Sequence, residues 1–374
     1  MKPGSTVAPT HEDKIVGIEL MRFACAVAVL VFHYQHFFFV GQSAVNFVPS
    51  EQPFYRLLKL FYDDGFYGVQ IFWCISGFIF FWKYGSQIAR QRLDGYRYFI
   101  LRLSRLYPLH LLTLLFVAAM QMSYFARLGA YYVYPQNDAY HFILQLFMAS
   151  NWGLQSGDSF NGPIWSISVE VLVYGIFFVS IRYISSSVAL LASMALGAGL
   201  IQFLKLSTHP LFSCLMFFYL GCLTAVVYLR CKPVKAYARL ATACAVLAVV
   251  VMSLLSLHFA IKAKYLLVVL SPALIYLCVS HIRATPFSSR LLVPAGNMTY
   301  SSYLLHVPLQ ILVVTVCAYA GIRLPFYNPL LFVVYMLVTL LLSAWSYRYL
   351  EMPAQDWLRK RFMRRTPAVV QSPT

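Results

Sequence analysis

The chain is poor in charged residues, and acidic residues are the scarcest of them. Only 11% of its 374 residues are charged, and Asp and Glu together number 12 against 29 Lys and Arg. A typical soluble domain carries about 25% charged residues. Because soluble enzymes and disordered chains both depend on polar residues to stay in water, this composition excludes both classes.

Cysteine is present but follows no pattern that forms disulfides or binds metal. There are eight cysteines, none of them in a CxxC motif, and all except Cys231 lie within apolar runs. Cysteines in such positions are typical of small buried hydrophobic residues. The pattern excludes a secreted disulfide scaffold, and we predict no metal site.

Long apolar runs are the main feature of the sequence. Apolar residues make up 60% of the chain, and runs of about 18–25 residues are long enough to cross a membrane as helices. We therefore predict an all-α, polytopic membrane helix bundle of about ten transmembrane helices, with a shorter interfacial helix at 140–149. The ten runs cover approximately residues 15–40, 65–84, 107–126, 163–182, 186–204, 210–230, 237–260, 264–282, 298–321 and 327–350.

The loops between these runs carry most of the positive charge. If the N-terminus is cytoplasmic, the cytoplasmic loops and tails hold 21 of the 29 Lys and Arg, and the outer loops hold seven. Cytoplasmic loops of membrane proteins collect Lys and Arg. We therefore predict that both termini are cytoplasmic, with a membrane domain at 15–353 between tails at 1–14 and 354–374. The net charge of +17 is then explained without a nucleic-acid partner.

Few ionisable side chains lie inside the runs, and each costs several kcal/mol there unless it is paired. Glu19 and Arg22 are three residues apart, so we expect an ion pair on one helix. Arg22 and His33 are eleven residues apart, which places them on one helix face at depths about 16 Å apart. We predict that Arg22 is a cationic anchor and that His33 is a titratable base. The alternative for His33 is an interfacial histidine, which is what we expect for His36.

A second group of polar residues opens the run at 163–182. Ser166, Ser168 and Glu170 alternate along it and are expected to line one broad sector. Glu170 has a depth comparable to that of His33, so the two could share a site, while the alternative for Glu170 is a structural carboxylate. His306, in a later run, is equally compatible with a functional role and with a hydrogen-bonded core position.

Two arginines precede the third run, in a segment predicted to be a loop. Arg102 and Arg105 are three residues apart, a spacing that would let them clamp a phosphate. Arginines are common in cytoplasmic loops, so the pair alone does not indicate a site.

Taken in order, these motifs resemble the acyltransferase-3 family, integral-membrane O-acyltransferases that modify surface carbohydrates. The resemblance covers about residues 12–353. This chain has Glu19 where the family usually has Asp and Trp73 where it usually has Phe, and both differences are conservative. The matching motifs are Arg22 with His33, Gly68-Val-Gln-Ile-Phe-Trp-Cys-Ile-Ser76-Gly77, Arg102 with Arg105, Trp165 to Glu170, Tyr300 to His306, and Glu351-Met-Pro353.

The resemblance implies transfer of an acyl group, commonly acetyl, from cytoplasmic acyl-CoA to a carbohydrate hydroxyl at the outer face. The acceptor would be a polysaccharide, a lipopolysaccharide or a lipid-linked saccharide, and the setting a bacterial inner membrane. No permanently bound cofactor is expected, and the other partners are membrane lipids. The residues expected to act are His33 and Glu170 in catalysis, Arg22, Arg102 and Arg105 in donor binding, and Ser76, Trp165, Ser166, Ser168 and His306 around the acceptor or thioester.

A sugar hydroxyl needs a base, and neutral imidazole is available near pH 7, which makes His33 the candidate. Glu170 would either orient His33 and stabilise its imidazolium, or hold the sugar hydroxyl. Direct transfer and an acyl-histidine intermediate both remain open. The rival function is a transporter or flippase for a glycan or a lipid-linked sugar, which would also carry charges within its spans. The chain shows no internal repeat to support it.

Overall fold

The computed structural model describes residues 15–259 and 261–363, so the predicted tail at 1–14 and residues 364–374 lie outside it. Within these ranges the chain forms fifteen α-helices and one two-stranded antiparallel ribbon, β1 (Phe39–Val40) with β2 (Ser43–Ala44). The helices are α1 Val16–His33, α2 Tyr55–Asp64, α3 Gly68–Phe80, α4 Ser86–Ala89, α5 Gly95–Leu128, α6 Ala139–Leu146, α7 Ile164–Val179, α8 Val188–Phe203, α9 Pro210–Cys231, α10 Lys235–His258, α11 Ala263–His281, α12 Pro286–Asn297, α13 Thr299–Ala320, α14 Pro329–Ser346 and α15 Met352–Phe362.

The prediction of an all-α polytopic bundle is confirmed. In the part of the chain that the structure describes, nine helical segments are long and apolar enough to cross a membrane. The predicted run at 186–204 forms α8, an apolar helix of 16 residues that is shorter than these nine. The segment predicted to be interfacial forms α6, whose eight residues extend only about 12 Å. The nine segments are Val16–Phe38, Tyr55–Ala89, Gly95–Leu128, Ile164–Ile184, Pro210–Cys231, Lys235–His258, Ala263–His281, Thr299–Ala320 and Pro329–Phe362.

Helix α5 begins well before the apolar run that predicted it. The Asp94 side chain accepts a hydrogen bond from the Arg97 backbone N–H at 2.9 Å and caps the helix, which then continues through Pro108 to Leu128. At 34 residues the helix is about 51 Å long. Arg102 and Arg105 therefore lie on a helix, and the prediction that they lie in a loop was wrong. Hydropathy does not detect a helix end made of polar residues.

Helices α3 and α9 approach each other closely through two glycines. A Cβ atom at Gly77 would lie 1.8 Å from the Phe218 carbonyl oxygen, and one at Gly221 would lie 1.9 Å from the Cys74 carbonyl oxygen. The Cys222 thiol also donates to the Gly77 carbonyl at 3.3 Å. Because both obstacles are backbone atoms, any larger side chain would push the two helices apart.

We expect Gly77→Ala to lower the thermal stability of the detergent-solubilised protein, since overpacking of this kind costs about 1–3 kcal/mol. Gly175→Ala is the matched control, because Gly175 also lies in a helix and a Cβ atom added there would have no neighbour within 4 Å. Melting temperatures of the two variants check the argument. A Gly77→Ala protein as stable as the control would show that the α3–α9 contact can relax.

The chain after α14 folds back onto α5. A π-helical turn at Tyr347–Glu351 leads into α15, where the Arg359 Nε donates to the Ser104 Oγ of α5 at 3.2 Å. Buried Glu351 accepts hydrogen bonds from Ser301 and Ser346 at the same turn. Residues 354–362, assigned by sequence to the C-terminal tail, are thus part of a helix that contacts the bundle.

Candidate functional site

A cavity of about 120 Å³ lies inside the bundle among α1, α3, α5, α7 and α13. It brings together side chains from five of the motifs that the sequence singled out. The polar residues that line it are Arg22, Ser76, Arg102, Arg105, Ser166, Glu170, Tyr174, Thr299, Tyr300 and Tyr303, and Trp73 is among the apolar ones.

Arg22 reaches the cavity as half of the predicted ion pair. Its Nη1 lies 2.9 Å from Glu19 Oε2, and the two side chains are only 12% and 8% exposed. Gly296 of α12 makes room for this pair, because a Cβ there would lie 1.8 Å from the Glu19 carboxylate. The pair neutralises Glu19 while leaving part of the Arg22 guanidinium available to the cavity.

Arg102 is held by aromatic rings instead of by an acid. Its guanidinium carbon lies 4.3 Å from the Phe80 ring centre and 4.6 Å from that of Tyr84, a cation–π arrangement. Its Nε is buried and makes no hydrogen bond among the described residues. Arg105 lines the same cavity one helical turn away. This end of the cavity therefore offers guanidinium donors to an anion.

Glu170 lies in this same arginine-rich cavity. Its carboxylate is beside the hydroxyls of Ser76 and Tyr174, and Arg105 and Arg102 act on it electrostatically. Its Oε1 is buried and has no hydrogen-bond partner among the described residues. The carboxylate thus has an acceptor position open for a ligand.

His33 lies at the other end of α1 from Arg22, and it is not among the residues that line the cavity. Its Nδ1 is 2.9 Å from the Val29 carbonyl oxygen. In that contact Nδ1 carries the proton, which leaves Nε2 as the acceptor of the neutral ring. Among the described residues no hydrogen bond, ion pair or ring contact joins His33 to Glu170, so of the two roles predicted for Glu170 the structure offers no direct contact for orienting His33.

Two further histidines surround His33. Ring centres of His306 and His36 both lie 4.9 Å from that of His33. His306 is fully buried, and neither of its ring nitrogens has a hydrogen-bond partner among the described residues. His36, expected to be only interfacial, belongs to this histidine cluster (His33, His36 and His306).

A line of polar contacts runs from the cavity to the histidine cluster. Ser166 and Tyr303, which both line the cavity, share a hydrogen bond of 2.7 Å, and the Tyr303 ring centre is 6.0 Å from that of His306. His306 then contacts His33. A chain of side-chain contacts therefore links the arginine-lined cavity to the histidine cluster.

The loop before α7 lies against the histidine end. The Asn161 side chain donates to the Leu304 carbonyl at 3.1 Å, and Asn137 accepts from the Phe160 backbone N–H at 2.8 Å. Burial raises the pKa of Asp158, in the same loop, above its ordinary value. The Asn161 contact holds the loop over α13, two residues from His306.

Besides His33 and His306, two predicted site residues lie outside the cavity, namely Ser168 and Trp165. Ser168 accepts from the Asn151 backbone N–H at 3.0 Å, so it holds the preceding loop, and the prediction that it shares a sector with Ser166 and Glu170 was wrong. The reason is helical rotation: two residues turn the side chain by about 200°, whereas four return it to within about 40°. Trp165 packs edge-on against Trp73, with ring centres 5.8 Å apart.

Some residues in or near the site had not been named as site residues from the sequence. Tyr174 follows Glu170 by one helical turn, and Tyr303 precedes His306 by three residues, so helical spacing from the known motifs would have found both. Arg359 lies 254 positions beyond Arg105, and no spacing rule connects them.

This architecture defines a polytopic membrane protein with an arginine-lined interior cavity and a histidine cluster linked to it by side-chain contacts. A family model described as an acyltransferase domain matches residues 15–348, nearly the whole chain. The chain therefore belongs to the acyltransferase-3 family, and the resemblance seen in its motifs is confirmed. No curated protein and no solved structure matches the chain.

Proposed function

We propose that this acyltransferase uses acyl-CoA, most simply acetyl-CoA, to O-acylate a hydroxyl of a carbohydrate. The observation that carries the proposal is the chain of side-chain contacts that links the arginine-lined cavity to the histidine cluster. Coenzyme A has anionic phosphates at one end and a thioester at the end of an extended arm. Arg22 and His33, about 16 Å apart along one helix, suit the two ends of such a donor.

The arginines supply the phosphate-binding end in this proposal. Arg102 and Arg105 have no carboxylate within 4 Å among the described residues, unlike Arg22. Arginine binds phosphate through charge-assisted, often bidentate hydrogen bonds. The donor is a substrate that leaves as free coenzyme A, so no permanently bound cofactor is part of the mechanism.

The histidine cluster supplies the reacting end. His33 Nε2 takes the proton of the acceptor hydroxyl as its oxygen attacks the thioester carbonyl, and the proton then passes to the departing thiolate. An ester and coenzyme A are the products. Ser76 and Glu170, farther along the cavity, accept hydrogen bonds from N–H or O–H groups of bound substrate.

We also propose that the arginine end faces the cytoplasm of a bacterial inner membrane, where acyl-CoA is made. The acceptor is then a polysaccharide, lipopolysaccharide or lipid-linked saccharide of the cell envelope, reached from the opposite face. Mass spectrometry of surface glycans from cells with and without this gene tests the assignment. The account expects an acyl modification that disappears with the gene and returns with the wild-type copy, and unchanged glycans would oppose it.

Both termini should be cytoplasmic, because 21 of the 29 Lys and Arg then lie inside. A phosphatase fused to the C-terminus should therefore be inactive, and a fluorescent protein fused there should be bright. The opposite pair of results would place the arginine end outside and remove its access to acyl-CoA.

Arg102→Ala and Arg105→Ala should each raise the donor KM by about tenfold or more, since a hydrogen bond to a charged group contributes roughly 1.5–3 kcal/mol. The acceptor KM should be unchanged, and lysine should rescue only partly because it lacks the planar fork. Arg90→Ala, at an exposed position between α4 and α5, is the matched control. Steady-state kinetics with each substrate varied in turn would separate the roles, and a raised acceptor KM alone would move these arginines out of the donor site.

A further inference from the structure

Helix α15 brings a further arginine, Arg359, close to two arginines of the cavity, although Arg359 itself is not among the residues that line it. Arg359 donates from Nε to the Ser104 Oγ at 3.2 Å, and Ser104 lies between Arg102 and Arg105 on α5. Arg359 is close enough to both of these arginines to interact with them electrostatically. It lies beyond residues 15–348, the part that the family model matches.

Acids lie near these three arginines without forming close ion pairs with them in the part of the chain that the structure describes. Glu170, Glu351 and Asp356 are the acids that act on them electrostatically. None of these acids forms an ion pair within 4 Å of Arg102, Arg105 or Arg359 in the described ranges. Like charges held together repel one another, and the repulsion is relieved when an anion binds among them. The buried, unpartnered Nε of Arg102 marks the same position independently.

The remaining donors of Arg359 are available to such an anion. A guanidinium has five N–H donors, and the Nε contact with Ser104 uses one. Among the described residues the terminal nitrogens of Arg359 make no hydrogen bond with the protein. The Ser104 contact therefore fixes the position of the group while leaving its phosphate-binding edge unoccupied.

We propose that Arg359 binds a phosphate group of the acyl-CoA donor together with Arg102 and Arg105, an inference that rests on the proposed function. Coenzyme A carries both a diphosphate and a 3′-phosphate, more anionic charge than two arginines neutralise. Helix α15 is then part of the donor site, and its docking on α5 completes that site. The group that Arg359 binds is a phosphate anion, either the 3′-phosphate monoester or the diphosphate.

Binding of acetyl-CoA and of 3′-dephospho-acetyl-CoA to the purified full-length protein tests this proposal. Arg359→Ala should weaken acetyl-CoA binding by about tenfold or more, and Arg359→Lys should recover part of the loss. Arg361→Ala, an exposed position on the same helix, should bind like the wild type. If the loss vanishes with the dephospho donor, Arg359 contacts the 3′-phosphate; if it persists, Arg359 contacts the diphosphate.

Ser104→Ala separates binding from anchoring, because it removes the contact with α5 and keeps the cation. Its effect on donor binding should be smaller than that of Arg359→Ala. Equal losses in the two variants, with equal falls in melting temperature, would assign Arg359 a purely structural role and overturn the proposal. Unchanged affinity of Arg359→Ala would overturn it while leaving the proposed function intact, whereas a wild-type protein that binds no acetyl-CoA would overturn both.

Discussion

We expect His33→Ala to lower the rate of acyl transfer by at least about 10²-fold while the protein still inserts into the membrane, the loss typical of removing a general base. The Nδ1 hydrogen bond of His33 is to Val29 on the same helix. Alanine therefore removes the free Nε2 without removing a hydrogen bond from this ring to another helix among the described residues. Initial rates with isotopically labelled acetyl-CoA, normalised to folded protein in the membrane, measure the effect.

His258→Ala is a close control for this variant. The His258 Nδ1 contacts the Leu254 carbonyl at 2.9 Å, one turn back on its own helix, as His33 does with Val29, but His258 is exposed. It should retain wild-type activity. A His33→Ala protein with more than about a tenth of wild-type activity would contradict both the general-base and the acyl-carrier roles.

Glu170→Gln should also remove most of the activity, although glutamine has nearly the same shape. Glu170 lies beside two arginines that have no ion-pair partner of their own among the described residues, so its charge offsets part of theirs, and its free Oε1 is positioned to accept a hydrogen bond from substrate. Glutamine removes the charge and puts N–H donors beside guanidinium groups. Glu170→Asp should also lose activity, because its carboxylate retreats by one methylene and hydrogen bonds weaken steeply with distance.

The same kinetic assay decides between this role and a structural one. If Glu170 only braces α7 against α3, glutamine can keep hydrogen bonds to Ser76 and Tyr174, and turnover should stay near that of the wild type. Glu51→Gln, an exposed acid outside the helices of the site, controls for the loss of one negative charge. Near-wild-type turnover of Glu170→Gln would therefore remove Glu170 from the catalytic account.

The fold was predictable where apolar residues alone determine a helix. The runs at 298–321 and 210–230 match α13 and α9 within one or two residues. Helix ends set by a cap or by charged residues were not predictable in this way, since α5 starts at an Asp94 cap and the last turn of α15 carries Arg359, Lys360 and Arg361. Their stability comes from a cap and from tertiary contacts, and hydropathy measures neither.

The same distinction applies to the site: contacts set by spacing on one helix could be predicted, and contacts set by the packing of different helices could not. The Glu19–Arg22 pair follows from their spacing on one helix, and the structure shows it. Whether Glu170 faces His33 or the arginines depends on how α7 is rotated and tilted against α1 and α5, and a single sequence does not carry that information. Arg359 reaches Ser104 only because the chain turns back after α14, so its role became visible only in the structure.

The central claim is that the arginine cavity binds an acyl-CoA whose acyl group is then transferred. Purified protein in detergent, incubated with labelled acetyl-CoA, tests it most directly through donor hydrolysis, in which water takes the place of the acceptor hydroxyl and acetate and free coenzyme A thiol are released at increasing donor concentration. The account predicts saturable, enzyme-dependent release that Arg102→Ala shifts to higher donor concentration and His33→Ala abolishes. An absence of both binding and release in the wild type, together with movement of a lipid-linked glycan across reconstituted vesicles, would contradict it and identify a flippase.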